Sequence, residues 1–153
     1  MNVLGIGPVL AIVGGIGLLV IFGLEAFFGV SLAVPPDALS YLRIIAVVLI
    51  LTGVFLWGSS ARLVIRAFDA HRLETSGVYR VTRNPLYAAF IVFIVPGLAF
   101  LVGNLLLLLV SVFLFVAFKM MIKKEEEYLQ KEFGDEFRAY ATEVAQLIPF
   151  VKV

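Results

Sequence analysis

The chain contains no cysteine, only one histidine and few charged residues, which make up 15% of its 153 positions. The absence of cysteine excludes disulfides, thiolate chemistry and metal sites built on cysteine. His71 has neither carboxylates nor a second histidine at ligand spacing, so no metal site is predicted. The net charge is +1 and no basic run carries interleaved aromatics, so the sequence predicts no nucleic-acid partner.

The chain is rich in apolar residues, and this excess indicates that lipid surrounds it. Hydrophobic residues make up 62% of the chain, and the mean hydropathy is +1.08. A soluble domain would hold about half apolar and roughly 25% charged residues. The length allows one domain. We therefore predict a single all-α integral membrane domain that covers residues 1–153.

Three windows without Asp, Glu, Lys, Arg or His divide the chain, at residues 1–24, 44–61 and 84–118. A spanning helix needs about 20 apolar residues to cross about 30 Å of hydrocarbon, so the first two windows predict one helix each. The first window lacks the basic start of a signal peptide. It also exceeds the apolar stretch of about 7–15 residues that such peptides carry, so we predict that it stays in the protein.

The third window is too long for one crossing, because a helix over its whole length would measure roughly 52 Å. Gly103 and Asn104 lie near its middle, after Pro96-Gly97, and predict the turn of a helical hairpin. Four transmembrane helices follow, at about residues 3–25, 40–61, 85–102 and 104–132.

A short amphipathic helix over about residues 135–147 is predicted after a stop at Gly134. Phe137, Tyr140, Val144 and Leu147 recur at spacings of three and four, which places them on one face. We expect this helix on the cytosolic side, at the interface or packed on the protein.

Basic residues cluster at one end of the predicted bundle. They are Arg62, Arg66, Arg72, Arg80, Arg83, Lys119, Lys123 and Lys124. The opposite loop over residues 25–43 carries a single arginine. Because Lys and Arg near helix ends favour the cytoplasm, we predict that this end and both termini face the cytosol.

The segment before the third helix carries the first candidate site residues. Asn84-Pro85 is a strong helix start, because Asn can cap free N–H groups and Pro at the first position loses no hydrogen bond. The positive end of the helix dipole, with Arg80 and Arg83 beside it, suits a carboxylate or another anion. A structural reading stays open, in which Arg83 only extends to the membrane surface and Asn84-Pro85 only caps the helix.

The second candidate group is the run Glu125-Glu126-Glu127. Glu125 and Glu126 come about two helical turns after Phe118, so a direct hairpin places them near the level of Arg83. A carboxylate at that level can accept ribose hydroxyls or offset a bound cation. The alternative is a solvated helix face with local Lys–Glu pairs.

Taken in order, these segments resemble the isoprenylcysteine carboxyl methyltransferase family and the related phospholipid N-methyltransferases. The pattern reads Gly77-x-Tyr79-x-x-x-Arg83-Asn84-Pro85-x-Tyr87, a hairpin, and then Glu125-Glu126-x-x-Leu129-x-x-x-Phe133-Gly134. It continues with Phe137-x-x-Tyr140-x-x-x-Val144 and Ile148-Pro149-Phe150. The resemblance covers about residues 73–150, roughly the C-terminal half.

The resemblance implies a methyltransferase that uses S-adenosylmethionine in a cytosol-facing pocket, with a tunnel that opens to lipid. The implied cofactor-binding residues are Tyr79, Arg83, Asn84, Pro85, Tyr87, Gly97, Glu125 and Glu126. Arg83 and Glu126 are the implied catalytic residues, with Arg83 orienting the acceptor. The implied acceptor is a lipid amine, a prenylated molecule or another lipophilic small molecule. Its identity and the oligomeric state stay open.

The chain departs from the family pattern in two places. Asn84 stands where the commonest motif has His, although Asn also caps and donates. Ala141-Thr142-Glu143 stands where prenylcysteine enzymes tend to carry basic residues, and an acidic side chain suits a substrate carboxylate badly. A lipid amine or small lipophilic acceptor is therefore an equal alternative to a prenylated cysteine.

Three other functions stay open at this point. A membrane reductase of related architecture would use NADPH, but no basic pocket for its 2′-phosphate is evident beyond the middle loop. Small four-helix glutathione-dependent enzymes have similar length, but the three charge-free windows lack their intramembrane polar residues. A non-catalytic membrane protein would bind neither nucleotide.

Overall fold

The computed structural model describes residues 5–148, and four long helices make up most of the chain. These helices are α1 (Gly7–Phe28), α2 (Pro36–Asp69), α3 (Pro85–Val102) and α4 (Leu108–Glu143). Four helices are long and apolar enough to cross a membrane, which confirms the predicted all-α bundle. Within residues 5–148, β-structure is limited to one bridge between Ala33 and Asn104.

The first two helices differ from the prediction mainly in length. The predicted start of α1 at residue 3 lies outside the described residues, and the helix is observed from Gly7 with a proline in its first turn. α2 was predicted over residues 40–61, but it continues to Asp69. Residues 62–69 contain no Gly or Pro to stop a helix, so α2 extends to about 51 Å, well past a hydrocarbon core of about 30 Å.

The hairpin turn between α3 and α4 lies at Gly103 and Asn104, as predicted. Gly103 has a φ of 76°, a left-handed conformation that suits glycine. The Asn104 side chain accepts a hydrogen bond from the Leu106 N–H at 3.0 Å and so caps the short 3-10 turn Leu105–Leu107 that leads into α4. The Asn104 amide also bonds to the Glu25 carboxylate at the end of α1, which ties the turn to the α1–α2 loop.

Pro96, which was considered with Gly97 as part of the turn, lies inside α3 instead. The segment Ala89–Ile94 just before it is π-helical, and the Val95 N–H bonds to the Phe90 carbonyl. Proline cannot donate the regular hydrogen bond to the residue four positions earlier, and a π-turn is a common local adjustment inside a helix.

Glycines let α3 pack closely against α2. A Cβ at Gly97 would lie 2.7 Å from Ile50 Cγ1 and 3.2 Å from the Ala46 carbonyl oxygen. A Cβ at Gly53 would lie 2.6 Å from Ile94 Cγ1. Small residues allow this approach between membrane helices, where packing and not hydrophobicity drives association.

Gly134 has non-helical backbone angles (φ 53°, ψ −123°) and divides α4 into two helical segments, in agreement with the predicted stop and short second helix. The second segment carries the buried residues Phe137 and Tyr140 and ends at Glu143, earlier than the predicted residue 147. Residues 144–148 leave the helix and run back toward the segment before α3, where their carbonyls accept hydrogen bonds. Pro149 and Phe150 of the motif lie outside the described residues.

We predict that Gly97→Ala lowers the free energy of unfolding by about 1–3 kcal/mol, because the added methyl group would overpack the α2–α3 contact. The measurement is a denaturant titration of the protein in detergent micelles. Gly23→Ala is the matched control, since no atom lies within 4 Å of a Cβ at that helical position. Equal stability of the two variants would contradict the assigned packing role of Gly97.

Candidate functional site

A cavity of about 370 Å³ lies at the end of the bundle where α2 ends, α3 begins and α4 continues beyond the apolar region. We call it the end cavity. Seven of the eight residues predicted to bind the cofactor line it: Tyr79, Arg83, Asn84, Pro85, Tyr87, Glu125 and Glu126. Gly97, the eighth, does not line it, because its backbone is packed against α2.

Arg83 connects three segments of the chain at this cavity. Its guanidinium forms an ion pair with Glu126 at 3.2 Å, with side chains only 12% and 23% exposed. Its Nη1 donates to the Ala141 carbonyl at 3.0 Å, and its backbone N–H donates to the Ala145 carbonyl at 2.8 Å. These two side-chain contacts use two of the five N–H groups of the guanidinium, and the buried Nε has no partner among the described residues.

The Asn84 side chain does not cap α3, contrary to the prediction. Its Nδ2 donates instead to the Gln146 carbonyl at 2.9 Å, which orients the amide toward the C-terminal segment. The same carbonyl accepts the Thr82 hydroxyl at 3.2 Å. Pro85 does occupy the first turn of α3 and is buried. Asn84 thus connects the start of α3 to the C-terminal segment beside the cavity.

Gln146 is a site residue that the sequence analysis missed. Its Nε2 donates to Glu126 at 2.9 Å, and its Oε1 accepts a hydrogen bond from Lys119 at 2.6 Å. With its carbonyl bound to Asn84, Gln146 links both predicted clusters. The residue belongs to no motif and lies between Val144 and Leu147 without sharing their predicted apolar face, so no sequence pattern marks it.

Glu125 and Glu126 have different partners, although they are adjacent in sequence. The Tyr87 hydroxyl donates to Glu125 at 3.2 Å and accepts from the Ile6 N–H at the same distance. Within residues 5–148, Glu125 forms no ion pair. The amino-terminal turn is a further part of the site that sequence reasoning missed, because nothing in an uncharged helix start indicates it.

Gly5 brings the backbone of that turn against the two side chains. A Cβ at Gly5 would lie 2.6 Å from the Tyr87 hydroxyl and 2.8 Å from both Glu125 oxygens. The residue has a φ of 47°, which also favours glycine. The turn therefore covers the Tyr87–Glu125 pair on one side with backbone alone.

Tyr79 and Glu74 complete the wall opposite the glutamates. The Tyr79 carbonyl accepts the Tyr140 hydroxyl at 2.7 Å, and burial raises the pKa of the Tyr79 phenol. Burial of the Glu74 carboxyl opposes its ionisation, but hydrogen bonds from Ser76 and the charge of Arg72 outweigh this effect and lower its pKa overall. Glu74 is therefore a carboxylate at neutral pH, and the sequence analysis had not singled it out.

A second, interhelical cavity of about 770 Å³ lies between all four helices in their apolar section. Its walls include Gly14 of α1, Trp57 of α2, Phe90 of α3 and Leu114 of α4, and none of the described residues that line it is charged. It shares three residues with the end cavity: Val64, Leu86 and Tyr87. Tyr87 is the only one of these with a polar side chain.

The sequence of the chain is similar to those of known methyltransferases. The profile of the phospholipid methyltransferase family matches residues 41–136. A probable protein-S-isoprenylcysteine O-methyltransferase of Oryza sativa subsp. indica is 34% identical over 84 residues, 55% of this chain and 44% of that protein.

Two further relatives match a similar part of the chain. Protein-S-isoprenylcysteine O-methyltransferase of Schizosaccharomyces pombe is 37% identical over 82 residues, 53% of this chain and 34% of that protein. Methanethiol S-methyltransferase 1 of Bradyrhizobium diazoefficiens is 36% identical over 80 residues, 52% of this chain and 27% of that protein. The match thus spans less than half the length of each of these relatives. No solved structure matches the chain.

We predict that Gln146→Ala lowers the free energy of unfolding by about 1–2 kcal/mol, because Glu126 and Lys119 each lose a hydrogen-bond partner. Gln130→Ala is the matched control, since it removes one side-chain bond to the Gly134 carbonyl and leaves no charged group unpartnered. Denaturant titration in micelles measures both. Equal losses in the two variants would show that Gln146 is not a link in the site.

Proposed function

The chain belongs to the phospholipid methyltransferase family, and from this membership we propose that it transfers a methyl group from S-adenosylmethionine to a lipophilic acceptor. The observation that carries the proposal is the meeting of two cavities at Tyr87, one with charged walls and one wholly uncharged. The cofactor would occupy the end cavity, and the acceptor would reach it from the interhelical cavity.

The residues of the end cavity fit S-adenosylmethionine. The cavity volume lies in the range of about 300–1,000 Å³ that ligand pockets occupy. The Glu126 carboxylate can accept hydrogen bonds from ribose hydroxyls or an ammonium group, and the remaining N–H groups of the Arg83 guanidinium can donate to a carboxylate. Tyr79, Asn84, Pro85 and Tyr87 would form the walls. When bound, the cofactor supplies an electrophilic methyl group on a sulfonium.

A lipophilic acceptor fits the interhelical cavity for a simple reason. A cavity without charged walls, between helices that lipid surrounds, favours an apolar tail and penalises a charged one. The reacting head group would then lie at Tyr87, where the wall becomes polar. The relatives named for isoprenylcysteine and methanethiol indicate carboxylate and thiol acceptors, and an amine is the third class that this arrangement accommodates.

The cytosolic face is the proposed location of the reaction. The basic residues of the α2 end, the middle loop and α4 lie at the same end of the bundle as the end cavity, and this bias favours the cytoplasm. Ile6 and Gln146 both contact the cavity residues, so both ends of the described chain lie on that side. Catalysis would rest chiefly on positioning and on exclusion of water.

We propose a role for Arg83 and Glu126 that differs from the catalytic role implied by the family resemblance. Each is committed to the other and to the C-terminal segment, which favours a role in holding the cofactor. The second N–H groups on Nη1 and Nη2, which have no partner among residues 5–148, would orient a bound carboxylate. Glu143, whose acidity argued against a prenylcysteine acceptor, is exposed and does not line the end cavity.

The test is calorimetric binding of S-adenosylhomocysteine, the reaction product, to the protein in detergent micelles. We expect micromolar affinity that Glu126→Gln or Asn84→Ala weakens roughly tenfold or more, equivalent to about 1.4 kcal/mol. Glu127→Gln is the matched control, because Glu127 is exposed and does not line the cavity.

NADPH and glutathione are measured in parallel, and neither should bind. Binding of NADPH in place of S-adenosylhomocysteine would select the reductase, and binding of none of the three by folded protein would favour a non-catalytic role. Unfolding curves of each variant separate a lost ligand contact from a lost fold.

A further inference from the structure

We infer that Tyr87 and Glu125 form a proton relay that makes the chain a methyltransferase for protic acceptors, meaning thiols or amines. The inference rests on the proposed function. Neither residue has this role in the implied site, where both only bind the cofactor. Four features of the structure carry it: the position of Tyr87, the partners of its hydroxyl, the isolation of Glu125 and the backbone cover over both.

Tyr87 has the only polar side chain among the residues that both cavities share. Its ring packs against the fully buried Phe118, with ring centroids 5.6 Å apart, which fixes the direction of the hydroxyl. An acceptor that moves from the interhelical cavity to the end cavity passes this hydroxyl, which can both donate and accept a hydrogen bond, whereas the Trp57 indole in the wall can only donate. Tyr87 is therefore placed to touch the reacting atom.

The Tyr87 hydroxyl directs its hydrogen to Glu125 at 3.2 Å, so its oxygen is the acceptor in the relay. Among the described residues the Ile6 N–H is bonded to this oxygen and the Gly7 N–H lies close to it. The X–H group of the acceptor would bind to the same oxygen beside these backbone donors. The arrangement forms a chain from X–H through Tyr87 to Glu125.

Glu125 is suited to receive the proton because none of the described cationic side chains pairs with it. Within residues 5–148 it makes no ion pair, whereas Glu126 is neutralised by Arg83. The titratable groups that face it are Tyr87 from α3, Tyr79 from the loop and Glu126 from its own helix. The turn before α1 faces it with the Gly5–Ile6 backbone, which excludes water on that side.

In the proposed step, the acceptor heteroatom X forms a bond to the methyl carbon while the bond from that carbon to sulfur breaks. The electron pair of the broken bond stays on sulfur. X–H gives its proton to the Tyr87 oxygen as the Tyr87 proton passes to Glu125. The products are X–CH3, a neutral thioether and a protonated Glu125, which returns the proton to solvent. A carboxylate acceptor carries no such proton and would gain nothing from the relay.

The test compares two lipophilic thiols that differ in acidity. An alkanethiol keeps its proton at neutral pH, as a thiol pKa of about 8.5 indicates, whereas an aryl thiol with electron-withdrawing groups is already a thiolate. We expect Glu125→Gln to lower kcat on the alkanethiol about 100-fold or more and on the aryl thiolate by much less, because general base catalysis contributes roughly 10²–10⁴-fold. Tyr87→Phe, which keeps the ring, should act likewise.

Rising pH should restore the alkanethiol rate of Glu125→Gln, because the thiol then ionises in solution, while the wild type gains less. Binding of S-adenosylhomocysteine and of the alkanethiol, measured by calorimetry, should change far less than kcat in both variants. Glu127→Gln and Tyr41→Phe are the matched controls, since both residues are exposed and line neither cavity. Both controls should behave as wild type.

Three results separate failure of this inference from failure of the proposed function. No binding of S-adenosylhomocysteine and no methyl transfer by the wild type would reject the proposed function itself. Binding with equal losses on both thiols would overturn the relay and leave the methyltransferase standing. The relay is also overturned if the wild type binds S-adenosylhomocysteine yet methylates no thiol or amine, whatever it does with carboxylates.

Discussion

The ion pair between Arg83 and Glu126 is the interaction on which the rest of the site depends. It joins the segment before α3 to α4, and Gln146 and the Ala141 carbonyl join the C-terminal segment to the same two side chains. Removing two charges from water is costly, and a largely buried pair persists only when further hydrogen bonds satisfy it. The C-terminal segment supplies those bonds. This explains why α4 ends at Glu143 and why residues 144–148 turn back across the bundle end.

Lipid imposes the division between the two cavities. Helices surrounded by hydrocarbon satisfy their own backbone, and the charged residues of the end cavity lie at the end of the bundle where α2 and α4 extend beyond the apolar section. The interhelical cavity follows from small residues such as Gly14 and Gly15, which leave space between α1 and the other helices. Tyr87 marks the boundary, since its ring belongs to the apolar side and its hydroxyl to the polar side.

Most of the fold can be predicted from the sequence, because a bilayer disfavours charged residues and its thickness sets the length of a spanning helix. The charge-free windows located four helices, and Gly103-Asn104 located the turn. A count of 1.5 Å per residue also placed Glu126 at the level of Arg83. The length of α2 was underestimated because a helix continues beyond the membrane wherever nothing stops it. Gln146, the Asn84 amide bond and the Gly5–Ile6 cover escaped prediction, since each depends on segments that only the assembled bundle brings together.

The two adjacent glutamates, Glu125 and Glu126, lie on one turn of α4 but contact different partners. Successive residues of an α-helix point about 100° apart, so Glu125 and Glu126 cannot face the same partner. Glu126 faces Arg83 and Gln146, and Glu125 faces Tyr87 and the start of α1. Two carboxylates this close would repel each other if both lacked a counter-charge, and the guanidinium beside Glu126 reduces that repulsion. Glu126 is thereby paired with a cation, whereas no described cation pairs with Glu125 at the junction of the two cavities. Two identical residues of one motif thus have different surroundings, and the relay that we propose for Glu125 depends on that difference.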